Sequence, residues 1–372
     1  MKCLHICNDF LGSKVHSQLY LHIDELGVEQ HIFHPLRKFN TNKRDDIIFA
    51  NRNISIYYSK ILKNYHRIFF RLKVSFLYKN LLNQLDVSNI SIVHATTLFS
   101  DGALALKCFQ QYKIPYLVTV RNTDLDAFSK YRPDLLFLGL RILKNATKIV
   151  FITQSLKNNF YKHYFFRKYK ELLLDKSIIV TNGINQFWIE NKQEQKKLTP
   201  TRILYVGSLL SRKNVLALIE AVLRLKATIP EIELTIVGDK GGQKEQIISL
   251  SKANPECIKF IGAVHNIKEL LQLYKANHIF AMPSFSETFG LVYIEALSQG
   301  LPILYSKNDG VDGTFSMRVG EGVIPKSEES IAKGLQTIIN NYAKYKIEDI
   351  DFQLFSWGEI AGRYVQIYES VT

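Results

Sequence analysis

Short, almost wholly apolar runs recur along this chain, separated by stretches of helical length, and this alternation narrows the fold more than any other feature. It is the pattern of parallel α/β folds, whose buried strands are covered by helices on both faces. In the first half, Cys3–Cys7, His31–Phe33, Ser91–His94, Tyr116–Val120, Lys148–Ile152 and Ser177–Val180 read as buried strands. Arg202–Val206, Glu233–Val237, Ile258–Ile261, His278–Met282 and Pro302–Leu304 repeat the pattern in the second. The expected fold class is therefore α/β, with two Rossmann-like, doubly wound sheets.

A chain of 372 residues suits two domains. The polar stretch Asn191–Pro200 lacks apolar periodicity and ends in proline, so the expected segments are 1–190, 191–355 and a terminal 356–372. Open α/β sheets bind ligands outside the carboxyl ends of their strands, and two sheets facing each other place both edges on one interdomain cleft.

Composition excludes several classes. With 47% hydrophobic and 22% charged residues the chain has material for a core, which argues against disorder. Cys3, Cys7, Cys108 and Cys257 show neither a CxxC pair nor ligand spacing, so no disulfide framework, zinc site or other metal site is expected. No apolar run is long enough for a spanning helix, and the first residues lack a signal-peptide core, so a cytoplasmic location is expected.

The net charge of +14 is unevenly spread. Residues 1–190 hold 27 Lys and Arg against 14 Asp and Glu, whereas residues 191–372 hold 21 against 20. Part of the excess lies in 60–79, where Lys60, Lys63, Arg67, Arg71 and Lys73 alternate with large apolar residues. That mixture suits a helix lying on an anionic membrane, and equally a core helix whose cations reach out to water. No signature of a nucleic-acid-binding module accompanies it, so nucleic acid is not an expected partner.

Two segments carry chemistry. In Pro283–Pro302 an apolar run leads into a loop with Glu287, then Gly290, then a helical stretch Leu291–Ser298 bearing Glu295. Free N–H groups at such a helix start suit a phosphate or a sugar hydroxyl, and a carboxylate can accept both hydrogens of a vicinal diol. In Arg202–Leu216 a strand, Gly207 and a helix start carry Arg212 and Lys213, cations suited to a diphosphate.

These residues carry a resemblance. PSFSETFGLVYIEALSQGLPIL, with Glu, seven residues, Glu, an FG between them and a later GxP, is similar to the signature of glycosyltransferase family 4, retaining nucleotide-sugar-dependent enzymes of the GT-B fold. VGD at 237–239, FIGAV at 260–264, NGIN at 182–185 and FSW at 355–357 resemble further family segments. The resemblance implies that the first domain binds the acceptor, that the second binds the donor, and that 356–372 forms a helix returning to the first. Glu295 would hold the ribose hydroxyls, with Glu287 near the transferred sugar. The amides of Phe289, Gly290 and Leu291 would reach the sugar and diphosphate, while Val264 borders the base and Lys213 binds the diphosphate. Two positions depart from the pattern: Ser208 stands where the family has Arg, with Arg212 a turn away, and Arg121 stands where many members have His. Arg121 is expected to make electrostatic contact with phosphate or to pair with Asp124. Gly12, after the first strand, occupies the place of a glycine-rich loop near the phosphates.

The expected activity is retaining transfer of a hexose-type sugar from a nucleotide diphosphate, such as a UDP- or GDP-sugar, without a cofactor. The acceptor is a hydroxyl of a glycan or lipid-linked saccharide, in cell-surface polysaccharide synthesis at the inner face of the membrane. Two alternatives are a non-catalytic relative that binds glycan or a partner transferase, and a sugar-nucleotide epimerase or phosphorylase of the same fold.

Overall fold

The computed structural model describes residues 1–37, 49, 52–196 and 199–372. Lys197 and Leu198, part of the polar stretch read as a linker, lie outside the described residues.

The chain forms two compact units, Met1–Ile152 with Leu156–Gly183 and Trp357–Thr372, and Thr153–Ser155 with Ile184–Ser356. The main division thus falls between Gly183 and Ile184, ahead of the polar stretch.

The first unit begins with β1 (Lys2–Ile6), α1 (Lys14–Glu25), β2 (Glu29–His34), β3 (Ile54–Tyr58), α2 (Phe70–Leu82), β4 (Ile92–Ala95) and α3 (Ser100–Tyr112). It continues through β5 (Tyr116–Val120), α4 (Leu136–Asn145), β6 (Lys148–Phe151), α5 (Gln154–Lys162), α6 (Lys170–Leu174) and β7 (Ser177–Ile179). The second unit runs α7 (Gln186–Glu190), β8 (Arg202–Val206), α8 (Val215–Lys226), β9 (Glu233–Val237), α9 (Lys244–Ala253), β10 (Ile258–Gly262) and α10 (Ile267–Ala276). It ends with β11 (Ile279–Ala281), α11 (Leu291–Ser298), β12 (Ile303–Ser306), β13 (Gly320–Val323) and α12 (Glu328–Asn340), and α13 (Trp357–Glu369) then closes the chain.

All strand pairs are parallel. The orders are β3-β2-β1-β4-β5-β6-β7 and β10-β9-β8-β11-β12-β13. Both sheets are doubly wound as expected, with reversal points at β1/β4 and β8/β11. Every residue of β4 and β5 is buried, which is why these strands read as unbroken apolar runs.

Two edge strands escape the sequence pattern. β3 alternates and is only half-buried. β13, Gly-Glu-Gly-Val, has almost no apolar content because it runs so close to its neighbour: a Cβ on Gly320 would sit 1.8 Å from the Ile303 carbonyl oxygen. His278, read as a strand residue, instead precedes β11, where its Nδ1 accepts from the amides of Thr201 and Arg202 at 3.1 and 3.2 Å.

One face of the first sheet packs with α1 and α13 in a cluster that includes Tyr20, Trp357, Ile360, Tyr364 and Tyr368. All four cysteines are buried free thiols, and burial pushes those of Cys7 and Cys108 up to about 12. Among the described residues no helix is long and apolar enough to cross a membrane.

The anchor of α13 is a buried histidine. His94 Nδ1 lies 2.8 Å from the Tyr368 hydroxyl and its Nε2 3.0 Å from Thr119 Oγ1. Burial, with Arg121 nearby, drives its pKa down to about 3 from 6.5. The unfolded chain therefore takes up this proton first, so the histidine's contribution is whole above about pH 6.5 and is lost as pH falls toward 3. Urea denaturation should find wild type more stable than His94→Gln at pH 7.5, with the gap shrinking at pH 4.5; a constant gap would contradict this role.

Candidate functional site

The second sheet reverses direction between β8 and β11, so the loops leaving these two strands lie side by side. Beyond β8, a single 3₁₀ turn, Ser211–Lys213, passes through Asn214 in a left-handed conformation (φ 61°) and into α8. Asn is among the few non-glycine residues that take this conformation readily. The Asn214 side chain then donates to the carbonyls of Pro283 and Pro325 at 3.0 and 2.7 Å. The Phe285 amide donates to the Arg212 carbonyl at 2.7 Å, and Arg212 Nη1 to the Ser286 carbonyl at 3.2 Å. Three of these hydrogen bonds join the two loops, and the fourth ties Asn214 to the segment after β13.

Lys213 is buried between them, its Nζ ion-paired with Glu287 Oε2 and 3.7 Å from the Met282 sulfur. Glu287 is itself oriented: its amide donates to Asp309 Oδ2 at 2.6 Å, and its Oε1 accepts from the Thr288 amide at 3.0 Å. This pair joins two residues 74 positions apart that the sequence placed in separate motifs.

Gly290 starts α11 with φ 79°. A side chain there is excluded twice, by the backbone and by the Tyr293 ring, which a Cβ would approach to 2.5 Å. Tyr293 cannot readily yield, because it is buried and its hydroxyl donates to the Met282 carbonyl at 2.5 Å. The Phe289 side chain belongs to the core, its ring 6.3 Å from that of Phe355, and Leu291 is half-buried.

Glu295 lies on α11, half-buried, with Tyr274 donating to its Oε2 at 3.3 Å and Trp188 also bonding its carboxyl. Burial raises its pKa to about 7 despite these two donors. Ser208 is half-buried, and its carbonyl accepts from the Tyr205 hydroxyl at 2.7 Å; Arg212 is exposed. Val264 is partly buried against the core of the unit.

The first unit holds the other candidates. Gly12 closes a 3₁₀ turn, Phe10–Gly12, and donates to the Asp9 carbonyl at 3.1 Å. Arg121 Nε donates to the Thr96 carbonyl at 3.1 Å. Its link to Asp124 runs through the backbone amide rather than the guanidinium: the Asp124 carboxylate accepts from the amides of Arg121 and Leu98 at 2.9 and 3.2 Å. Burial raises that carboxyl to about 7.

The basic segment 60–79 needs two corrections. It is not one helix, since α2 begins at Phe70 after a separate turn, Asn64–Arg67. Lys60, Lys63, Arg67 and Arg71 are exposed, but Lys73 is buried and donates to Ser100 Oγ at 2.8 Å, so it is not a surface cation.

Asn214, Tyr293 and Asp309 are positioning residues that sequence reading missed. The signal for Asn214 was its place directly before a helix, and that for Asp309 was the turn-forming Asn-Asp-Gly at 308–310. Among the described residues no group of three or more His, Cys, Asp or Glu could hold a metal ion.

The backbone geometry at Gly290 makes Gly290→Ala informative. It should destabilise the protein by on the order of 1–3 kcal/mol in urea denaturation, the usual scale for a strained non-glycine residue. A change within experimental error would show that the start of α11 yields easily.

Comparison with known proteins bears on the family and the fold. The sequence model described as Glycosyltransferase Family 4 matches residues 15–186, and that described as Glycosyl transferases group 1 matches residues 186–348. The phosphatidylinositol N-acetylglucosaminyltransferase gpi3 subunit of Schizosaccharomyces pombe is 27% identical over 176 residues, 45% of this chain and 38% of that protein. A probable sucrose-phosphate synthase of Thermosipho melanesiensis is 27% identical over 299 residues, 74% of this chain and 69% of that protein. The solved structure of Anabaena HepE in complex with UDP and glucose covers 100% of both chains with a TM-score of 0.68 at 14% identity, a likeness of fold. With two doubly wound units and a family match on each, the chain belongs to the GT-B-fold glycosyltransferases.

Proposed function

We propose that the protein is a retaining transferase moving a hexose-type sugar from a nucleotide diphosphate sugar to a hydroxyl of a glycan or lipid-linked saccharide. The observation that carries this reading is the ion pair of the buried Lys213 with the half-buried Glu287 at the β8/β11 reversal, beside the start of α11. A nucleotide diphosphate needs positive charge near its bridging oxygens, which Lys213 and the free amides after Gly290 supply. Glu287 faces the transferred sugar, and Glu295 accepts from the ribose hydroxyls. The solved structure of HepE, which holds UDP and glucose, supports a UDP-sugar as the first donor to test.

In the reaction the bond between the anomeric carbon and the phosphate oxygen breaks, and the acceptor oxygen bonds to that carbon on the same face. The acceptor's proton passes to the departing phosphate oxygen, so no protein nucleophile is required. Lys213 stabilises the charge that develops there. Arg121 serves as a fixed positive charge near phosphate, since a guanidinium does not exchange protons at neutral pH. The excess positive charge of residues 1–190 supports work in polysaccharide synthesis at an anionic, cytoplasmic membrane face.

Removing one member of a buried ion pair strands its partner at about 3–5 kcal/mol, so the conservative change is the useful one. Glu287→Gln should keep a hydrogen bond to Lys213 and a near-wild-type fold, yet lose at least a hundredfold in sugar transfer. Transfer that survives Glu287→Gln would remove Glu287 from the catalytic reading, and transfer that never appears with UDP-, GDP- or ADP-sugars and a saccharide acceptor would favour a non-catalytic relative. In flotation assays the protein should rise with anionic liposomes at low salt and be released by about 0.5 M salt, where screening is short-ranged. Flotation indifferent to both lipid charge and salt would remove the membrane part of the reading.

A further inference from the structure

Two cavities of the first unit share a wall made by Phe70 and Arg132, and they differ in character. The smaller, about 610 Å³, is lined by Arg37, Lys63, Arg67, Lys73 and Arg132, and by no carboxylate among the described residues. Arg132 is spoken for, its guanidinium forming a bidentate pair with Asp134 at 2.9 and 2.7 Å. The other four make no ion pair among the described residues. Lys73 is the most telling of them. It is buried, its ammonium donates to a hydroxyl rather than a carboxylate, and it lies 5.5 Å from the centre of the Phe70 ring. Burial and the nearby Arg37 lower its pKa to about 8 against the pull of Asp101. Cations that converge at such a place repel one another, and an anion among them relieves the repulsion.

Beyond Phe70 and Arg132 the second cavity, about 850 Å³, is mainly apolar, with Leu72, Ala103, Leu106 and Leu138 among its walls and Lys107, Asp134 and Arg141 among the charged residues that border it. Leu72 and Phe137, which line it, are 57% and 72% exposed and add to an apolar patch with Phe69, itself 55% exposed. A cationic pocket adjoining a mainly apolar groove matches one ligand chemistry, an anionic head joined to a hydrocarbon chain.

We propose that these two cavities form a binding site for a lipid phosphate or diphosphate, with the phosphate held by Arg37, Lys63, Arg67 and Lys73 and the hydrocarbon chain lying past Phe70 along Leu72, Ala103 and Leu106. This deepens the reading of the protein as a transferase, on which it rests for one point alone: the bound lipid is the anchor of the acceptor. The site itself is a property of the first unit and is independent of the donor residues Lys213, Glu287 and Glu295.

The test is calorimetric titration of the whole protein with farnesyl phosphate below its aggregation limit, alongside farnesol, inorganic phosphate and phosphatidylglycerol vesicles. Farnesyl phosphate should bind at least tenfold more tightly than either farnesol or inorganic phosphate. The double change Lys63→Ala with Arg67→Ala, on exposed positions, should weaken it at least tenfold, and Leu72→Asp likewise. Thermal stabilisation by a nucleotide-sugar should be the same in all three proteins. Equal affinity for inorganic phosphate would reduce the site to a plain anion pocket and overturn the proposal. So would equal affinity for farnesol, unchanged binding in the double variant, or capture by vesicles without binding of monomeric farnesyl phosphate. If farnesyl phosphate binds as expected while no nucleotide-sugar is bound or transferred, the transferase reading fails and the lipid site stands. The reverse pattern removes the lipid site and leaves the transferase.

Discussion

A buried lysine and a half-buried glutamate, paired largely out of water, hold the candidate donor site together, and the loops around them are built to tolerate that burial. Removing two charges from water is expensive, and the attraction between them offsets the loss only when neighbouring groups orient them well. Asp309 accepts from the Glu287 amide, Thr288 donates to the carboxylate, and Asn214 bridges the loop backbones beneath. Such an arrangement is a poor source of stability compared with an apolar replacement of the same volume. Its value lies in presenting an ammonium of fixed position in a low-dielectric setting, where charge acts most strongly on a phosphate. The placement follows from topology, because the strand order reverses between β8 and β11, the position at which open α/β sheets bind their ligands.

The central strands and the start of α11 were legible because their chemistry is local. β5, β8 and β9 begin and end where the runs read from the sequence do, since the middle residues of each are covered on both faces, and only the ends, such as the exposed Arg202, depart from this. β13 was not legible: its shape is set by closeness to Ile303, and a strand made of glycines gives no apolar signal. The site was legible residue by residue but not as an assembly. Glu287 and Lys213 each stood out from the motif around them, yet nothing in a linear reading pairs positions 74 apart. Asp309 was out of reach for the same reason, since it serves the site through another residue's backbone amide.

The two departures from the family pattern look different once the backbone is in place. At Ser208 the structural work is done by the carbonyl, which holds the Tyr205 hydroxyl, and any residue supplies a carbonyl. The side chain is therefore free to vary, and losing a guanidinium there leaves the loop's path intact. Arg212 reaches across to the Ser286 carbonyl, so its charge is tied to the segment that carries Glu287. In the first unit Arg121 is steered by the Thr96 carbonyl, while Asp124 satisfies two amides. Asp124 thus fixes the turn after β5, and the Arg121 charge is not neutralised by it.

The net charge of +14 divides along the same lines. A uniform coat of surface cations would favour any anionic surface, whereas a buried ammonium beside a cluster of guanidinium groups favours a compact anion. Residues 60–79 contain both kinds: Lys60 and Arg71 are exposed, Lys73 is enclosed, and Lys63 and Arg67 are exposed side chains that also line the smaller cavity. Counting charges cannot separate the two, because the count treats Lys73 like its neighbours. Its position on α2 does, since Lys73 shares the inner face of that helix with Phe70, Val74 and Leu77 while Arg71 and Leu72 face out. A helix that buries a cation with its apolar face and exposes a leucine on its outer face has inverted the usual arrangement at both positions. An amphipathic lipid accounts for both inversions, since it brings an anion to the inner one and hydrocarbon to the outer.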